Sequence, residues 1–290
     1  MSHRRWCALL ISCLLAGCVV AVAQQTQQNT QNAAPPDTPA ANPARPTVST
    51  PATLTPVGYL QFETGALGAT DSPGLDSQFS FNEVIKYSPA RWLEILASSE
   101  PFAYSTAGGQ SAKAPGDVDL GAQVVLHHGE GPNPTVTLSY LTRVYAGQAP
   151  DLDIASYRNS ALLLVSGDVK GFHYDTNYIF NELVDGSVRR AAFGQTLSVS
   201  HHLGGKFGLS GEIWHFTQPF LRGNAVGNLW AMNYNPSKIL VFDCGFQHGL
   251  TSTSTQWEAF LGFTYLLPRR LPLRLPEGDS HKGHTDSGQQ

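Results

Sequence analysis

Residues 172–180 read Phe-His-Tyr-Asp-Thr-Asn-Tyr-Ile-Phe, and this stretch bears most directly on the fold class. Its even-numbered side chains are aromatic apart from one threonine, whereas most odd-numbered ones are polar: His173, Asp175 and Asn177. A period of two indicates a β-strand, because successive Cβ atoms point to opposite faces. If the aromatic face meets a protein core, this is an ordinary sheet strand. If it meets lipid, the polar face lines the inside of a barrel.

The composition favours an all-β protein. Only 14% of the 290 residues are charged, while glycine and aromatic residues are plentiful, which suits many strands joined by turns. The length allows one large or two ordinary domains. The formal net charge is −4 and no basic patch occurs, so we expect no nucleic-acid partner.

The N-terminus predicts export from the cytoplasm. Two arginines precede an apolar run over residues 6–22, and Ala21-Val22-Ala23 fits a cleavage site, which predicts a signal peptide over residues 1–23. The alternative is a lipoprotein box ending at Cys18, with lipidation there. Only Cys244 lies beyond this region, so no intramolecular disulfide is expected. No later apolar run approaches the ~18 residues of a spanning helix, so any membrane crossing must use strands.

Three further segments follow the signal peptide. Residues 24–56 are rich in Gln, Thr, Ala and Pro and predict a disordered linker, because they carry too little apolar surface to fold. Residues 57–267 carry the strand pattern. Residues 268–290 resemble the linker in composition and predict a disordered tail.

The strand region predicts a transmembrane antiparallel up-and-down β-barrel. It contains about twelve candidate strands, and short joins such as 170–171 alternate with longer ones such as 65–77 and 146–159. Outer-membrane barrels show this alternation, with short periplasmic turns and longer outer loops, whereas a soluble sandwich has no reason to keep it. We therefore predict localisation in the cell outer membrane, with membrane lipid around the barrel.

One acid interrupts the apolar face of a strand. Glu83 falls in phase with the outward residues Phe79, Phe81 and Ile85. A carboxylate facing lipid is unfavourable, so either a β-bulge shifts the register there or Glu83 is functional. We favour the bulge.

The opposite phase gives the residues that would line the lumen. Acids outnumber bases among them, which predicts a pore that prefers cations or neutral solutes. The competing interpretation is that these side chains fill the interior through hydrogen bonds, and twelve strands predict a narrow or partly blocked pore. The candidates are Glu63, Glu94, Asp117, Asp119, Arg143, Asp168, His173, Asp175, Asn177, Glu212, Asp243 and Glu258.

The sequence offers little for catalysis or metal binding. No Gly-x-Ser-x-Gly elbow and no nucleotide motif occurs, so we predict no enzymatic activity and no cofactor. Neighbouring histidines, as in His127-His128, point to opposite strand faces and do not predict a metal site. Asp151 and Asp153 could bind Ca²⁺, although a solvated loop is the simpler prediction.

Four stretches carry a family resemblance: residues 58–65, 85–95, 116–126 and 240–250. They resemble bacterial outer-membrane barrels grouped as transporters of the phenol meta-degradation pathway. The resemblance implies a channel or transporter for small solutes, apolar or aromatic. Members of the family end at an aromatic C-terminal residue, whereas this chain continues past Leu267. The barrel-assembly machinery, an implied partner, would then recognise an internal strand.

Three functional hypotheses follow. The first is an outer-membrane channel for an unidentified small solute, with an acidic lumen. The second is a structural or surface-binding barrel whose lumen is sealed. The third, and least supported, is an outer-membrane enzyme, for which His215 on an outward face would be a candidate without an identifiable serine partner.

Overall fold

The computed structural model describes residues 39–153 and 157–272. Within these residues all regular structure is β, and no helix is long and apolar enough to cross a membrane. The predicted signal peptide, Cys18, linker residues 24–38 and tail residues 273–290 lie outside the described residues. The strands are β1 Leu60–Ser72, β2 Leu75–Ala90, β3 Leu93–Ala107, β4 Gln110–Ala114, β5 Val118–His127, β6 Thr135–Tyr145, β7 Tyr157–Val169, β8 Phe172–Asp185, β9 Val188–Gly204, β10 Phe207–Gln218, β11 Gly223–Ser237, β12 Leu240–Gly249 and β13 Trp257–Leu266.

The strands close into an antiparallel barrel. Each pairs with its sequence neighbour, β13 pairs with β1, and β2 pairs with β3. The short β4 pairs only with β3 and extends one hairpin, so β3 continues the barrel by pairing with β5. Twelve of the thirteen strands therefore form the barrel wall, which confirms the predicted fold class.

The two ends of the barrel differ. One end, which we call the terminal end, holds the start of β1, the end of β13 and tight turns such as 170–171. The opposite end, the loop end, holds the longest connection, residues 146–156, and the seven-residue connection 250–256, whereas the longest connection at the terminal end is the seven-residue stretch 128–134.

The outer surface is apolar. On β8, Phe172, Tyr178 and Phe180 are 48%, 52% and 47% exposed, whereas Asn177 between them is fully buried. The same alternation recurs around the barrel, with large apolar side chains outside and polar side chains inside. In water this surface would be a large exposed apolar patch, and in a membrane it meets lipid. The protein is thus an outer-membrane β-barrel, as predicted.

Several loops that the sequence predicts at the loop end are strand instead. Residues 65–77 are predicted as a loop, yet β1 continues to Ser72 and β2 begins at Leu75. Only Pro73 and Gly74 remain between them, and Gly74 adopts a φ of 82°, which glycine accommodates readily. The strand extensions lose the apolar alternation where they project towards the loop end, so periodicity misses them although the hydrogen-bond ladder continues.

A register shift lies opposite Glu83, but it does not turn Glu83 away from the outer face, as the predicted bulge would have done. Phe81 pairs with Phe102 while Glu83 pairs with Ser99, so the register between β2 and β3 shifts at this point. The extra residue belongs to β3, and Glu83 consequently keeps its exposed, outward phase.

Candidate functional site: the barrel lumen

A segment of the chain lies inside the barrel. Residues 41–56, called the inserted segment below, contain no strand, and Ser49 and Ala52 are fully buried. The segment begins near Lys238 at the terminal end, where the Ala41 amide donates to the Lys238 carbonyl over 2.7 Å. It turns in the lumen and returns to the terminal end, where β1 starts. This differs from the disordered linker predicted here, because the polar wall supplies partners that the isolated segment lacks.

The first part of the inserted segment bonds to β1. The Gln61 side chain accepts a hydrogen bond from the backbone amide of Asn42 at 2.8 Å and donates one to the backbone carbonyl of Asn42 at 2.7 Å. The carboxylate of Glu63 accepts the amides of Ala44 and Arg45 at 3.1 and 3.2 Å. Backbone donors that would otherwise be unsatisfied in the interior are therefore bound by wall side chains.

Two ion pairs balance charge around this part. The Lys86 Nζ lies 2.5 Å from the Glu63 carboxylate, and both side chains are almost completely buried. Arg45 of the inserted segment lies 3.2 Å from Asp243 on β12, whose side chain is 1% exposed. A buried carboxylate needs such a partner, because desolvation of an unpaired charge is strongly unfavourable.

The turn of the inserted segment is held by Glu212 on β10. Its carboxylate accepts the Val48 and Ser49 amides, both at 2.7 Å, and the Ser49 hydroxyl at 2.5 Å. The Ser49 hydroxyl also lies 2.7 Å from the hydroxyl of Thr196 on β9. One buried carboxylate thus satisfies three donors at the deepest part of the segment.

The returning part crosses to the opposite wall. The Asn177 side chain accepts a hydrogen bond from the Thr50 backbone amide at 2.7 Å and donates one to the Thr50 carbonyl at 2.9 Å. It thus satisfies both backbone groups of Thr50, as a neighbouring strand would. Further on, the Ala52 amide donates to Ser166 Oγ at 2.7 Å, and the Thr55 amide donates to Glu94 at 2.7 Å.

Apolar contacts inside the barrel accompany these hydrogen bonds. Ala52 packs in a buried cluster with Leu164, Trp214 and Phe216, and Val48 packs against the same cluster. An apolar cluster in the lumen is not predicted by the sequence, which indicated a polar inner face. It gives the inserted segment a hydrophobic contact as well as polar ones.

Residues 146–153, the described part of loop 146–156, reach the lumen from the loop end. Asp153 is buried, and its carboxylate accepts the Thr255 amide at 2.6 Å and the Gln247 side-chain amide at 3.0 Å. Gln218 donates to the Asp153 carbonyl. Burial raises the pKa of the Asp153 carboxyl above its ordinary value. The solvated loop predicted at Asp151 and Asp153 is therefore wrong at Asp153.

A cavity of about 370 Å³, called the chamber below, lies between the inserted segment and loop 146–156. Val48 borders it on one side and residues 150–153 on another, with wall residues from β1, β2, β3, β5, β7, β10, β12 and β13 around it. The volume is at the lower end of the ~300–1,000 Å³ range of small-molecule sites.

The twelve residues predicted to line the lumen fall into three groups. Five bond to the inserted segment: Glu63, Glu94, Asn177, Glu212 and Asp243. Three lie at the mouth of the terminal end: Asp168, His173 and Asp175. Four lie at or beside the chamber: Asp117, Asp119, Arg143 and Glu258. The structure therefore brings them together as separate clusters, not as one ring.

The mouth cluster is linked to the inserted segment. His173 lies 2.9 Å from Asp168, which is exposed, and 3.3 Å from Asp175, which is buried. The Ser166 hydroxyl donates a hydrogen bond to Asp175 at 2.5 Å, and its oxygen accepts a hydrogen bond from the Ala52 backbone amide. The chain of contacts runs from the solvent at the terminal end to the inserted segment.

Sequence reasoning missed the inserted segment. Its composition is that of a disordered linker, and only one signal could have revealed it. The predicted lumen carries many more acids than bases, and Arg45 is the only charged residue of the inserted segment. A buried acidic surface requires cations or N–H donors, and the segment supplies both.

The described residues show no arrangement for metal chemistry. Across residues 39–153 and 157–272, no three His, Cys, Asp or Glu side chains are grouped so that they could hold a metal ion. His215 on β10, named for the enzyme hypothesis, is part-exposed, as predicted for its strand phase.

Comparisons with known proteins support the fold. The chain is similar to an outer membrane channel from Pseudomonas putida F1, with a TM-score of 0.54 and 14% identity over 74% of this chain and 97% of that one. It is also similar to the NanC porin, with a TM-score of 0.51 and 10% identity over 71% and 98% of the two chains. No protein-family model matches the chain, and no curated protein matches it in sequence.

These similarities concern the fold. One solved structure is an outer membrane channel and the other is a porin, so this chain has the fold of outer-membrane channels. The comparisons support that broad class and not the narrower grouping with phenol degradation.

Proposed function

We propose that the protein is an outer-membrane channel for small solutes whose lumen is closed by the inserted segment. The observation that carries the proposal is how this segment is held. Residues 41–56 contain no strand and bind the wall mainly through side chains such as Glu212 and Asn177. The segment can therefore leave the lumen while every strand pair of the barrel stays intact.

The orientation of the barrel follows from its connections. Tight turns in outer-membrane barrels face the periplasm and longer loops face outwards. The terminal end is then periplasmic, and the inserted segment closes the periplasmic half of the lumen. Loop 146–156 narrows the outer half, and recognition by the barrel-assembly machinery would use β13.

The solute class is proposed from the chamber. Its lining combines acids such as Asp119 with the aromatic side chains of Tyr157, Trp214 and Phe216. Small cationic or neutral compounds with an apolar or aromatic part fit this lining, and anions do not. The family resemblance to barrels associated with aromatic compounds points the same way.

Deletion of residues 41–56 tests the channel. In planar bilayers the deletion variant should conduct far more than the full chain, because the lumen loses the segment that fills it. Deletion of residues 24–38 is the matched control and should leave conductance unchanged. Heat-modifiable migration on gels verifies that both variants form barrels.

A reversible lock gives a second test without deletion. The side-chain oxygens of Ser49 and Thr196 lie 2.7 Å apart, so Ser49→Cys with Thr196→Cys places two thiols within reach of a disulfide. In a Cys244→Ala background, oxidation should abolish channel openings and reduction should restore them. Ser49→Cys alone should show no redox dependence.

The alternative function is a sealed structural or surface-binding barrel. The filling of the lumen by the inserted segment and the apolar cluster around Trp214 favours it. If the deletion variant folds but conducts no better than the full chain, the channel proposal fails and the sealed barrel is supported.

A further inference from the structure

The chamber contains polar atoms without partners. The Oδ2 atom of Asp119 accepts hydrogen bonds from Ser98 at 3.2 Å and from Tyr157 at 3.1 Å, whereas its Oδ1 atom has no partner. The Oε1 atom of Gln78, on β2, also has none. Asp119 and Gln78 are 8% and 5% exposed, and both line the chamber. Buried polar atoms are normally satisfied, so both positions call for a donor.

The two unsatisfied atoms are acceptors, which limits the ligand. A carboxylate oxygen and an amide carbonyl oxygen accept hydrogen bonds and cannot donate them in these forms. The complementary group carries several N–H or O–H donors. A carboxylate or phosphate would leave both acceptors unsatisfied and would also be repelled.

The charge around the chamber favours a cation. Glu100, Asp117, Asp153 and Glu258 line it together with Asp119, and no lysine or arginine is among its described lining residues. Arg143 lies 3.0 Å from Asp117 and is paired with Asp119 across β5 and β6, yet the Oδ1 atom of Asp119 has no hydrogen-bond partner. A charged donor forms a hydrogen bond about twice as strong as a neutral one.

The rest of the lining selects an organic cation over a metal ion. The rings of Trp214 and Phe216 lie 5.8 Å apart and border the chamber with Leu67 and Tyr157. Aromatic faces attract organic cations and bind apolar groups. A metal ion would need three or more clustered ligands, which the described residues do not provide.

We propose that the chamber is a binding site for a small organic ammonium compound with an aromatic or apolar body. Once the side chains of Asp119 and Gln78 rotate towards the chamber, the ammonium group donates to the Asp119 carboxylate and a second donor of the ligand or a bridging water reaches the Gln78 amide oxygen. The apolar body contacts Trp214 and Phe216. This proposal names a solute class for the proposed channel and rests on that function.

Three probes of nearly identical shape test the charge preference. They are 2-phenylethylammonium, 2-phenylethanol and phenylacetate, titrated calorimetrically into the full chain in detergent at neutral pH. We expect the ammonium probe to bind about tenfold or more tightly than the alcohol, and the acid to bind too weakly to detect. Equal binding of the ammonium and alcohol probes, or no binding of any probe at millimolar concentration, overturns the proposal.

Variants locate the binding to the chamber. Asp119→Asn keeps the size of the side chain and removes its charge, so the affinity for the ammonium probe should fall about tenfold while that for the alcohol changes little. Asp76→Asn, on the same β2 strand as Gln78 but exposed, is the control and should bind as the full chain does. An unchanged affinity in a folded Asp119→Asn barrel also overturns the proposal.

The experiment separates this inference from the channel proposal. Calorimetry measures binding to the closed barrel and needs no solute passage. Conductance of the variant lacking residues 41–56 decides whether the barrel is a channel. If that variant conducts and the ammonium probe does not bind, the channel stands and the ligand class is wrong.

Discussion

The two halves of the lumen use the same residue type for different purposes. In the half near the terminal end, Glu63, Glu212 and Asp243 are each bonded to the inserted segment. In the half near the loop end, Asp119 faces a cavity and keeps one oxygen without a partner. Buried acids that are satisfied by the chain itself hold structure together, and a buried acid left unsatisfied indicates a place for a ligand. An acidic inner face therefore identifies neither role until its partners are known.

The largest expected effect is at Glu212. Glu212→Gln replaces a carboxylate that accepts three hydrogen bonds from Val48 and Ser49 with an amide that presents N–H donors to them. The free energy that holds the inserted segment in the lumen should fall by about 3 kcal/mol. Thr55→Cys in a Cys244→Ala background reports this, because Thr55 is buried and its hydroxyl has no partner. Maleimide labelling should accelerate by about a hundredfold.

The control for this prediction is Glu130→Gln, which changes an exposed residue in the turn between β5 and β6. It should leave the labelling rate unchanged. If Glu212→Gln labels no faster than this control, Glu212 does not hold the inserted segment.

A smaller effect is expected for the ion pair between Arg45 and Asp243. Arg45→Ala removes the only charge of the inserted segment and leaves Asp243 buried without its partner. Because Arg45 is partly exposed, we expect a loss of about 1–2 kcal/mol. The same labelling assay measures it, and a double-mutant cycle with Asp243→Asn isolates the pair.

The exposed pair Arg189–Glu182 supplies the matched control for the ion pair. Its atoms lie 2.9 Å apart, yet the Arg189 side chain is 58% exposed. Arg189→Ala should leave the labelling rate unchanged, because water screens an exposed ion pair. Additive losses in the cycle between Arg45 and Asp243 would show that these two residues do not interact.

A modest pH effect is expected at loop 146–156. Burial raises the pKa of Asp153 when the loop is docked, so the docked loop holds a proton more tightly than the undocked one. Docking is therefore strongest at low pH and weakens as the pH rises through the raised pKa of Asp153. Hydrogen exchange of residues 146–152, corrected for intrinsic rates, should slow as the pH falls from 7 towards 4, and Asp153→Asn should remove the dependence.

The smallest expected effect tests whether the two halves are independent. Asp119→Asn alters the chamber and touches none of the contacts of the inserted segment. The labelling rate at Thr55→Cys should therefore stay nearly the same, so that the free energy that holds the inserted segment changes by less than about 0.5 kcal/mol. A large acceleration would show that the chamber and the inserted segment form one coupled unit.

Much of the barrel could be predicted from the sequence and much of the lumen could not. The faces of β8 are correctly predicted from alternation. At Glu83 a register shift is present, but its extra residue lies in β3, so the predicted removal of Glu83 from the outer face is wrong. The extensions of β1 and β2 are missed, because a strand without an apolar face has no periodic signal. The division of the twelve predicted lumen residues into three clusters is missed as well, because it depends on which strands lie opposite each other.

The sequence by itself determined the membrane-facing part of the strands, their two faces and the membrane environment. These are local properties: a period of two places apolar side chains on one face, and an apolar outer face requires lipid. Only the tertiary structure decided what occupies the lumen. Residues 41–56 have no periodicity and too little apolar surface to fold alone. They become ordered because the closed barrel surrounds them with acids and amides, and with an apolar cluster around Trp214, contributed by strands far apart in sequence.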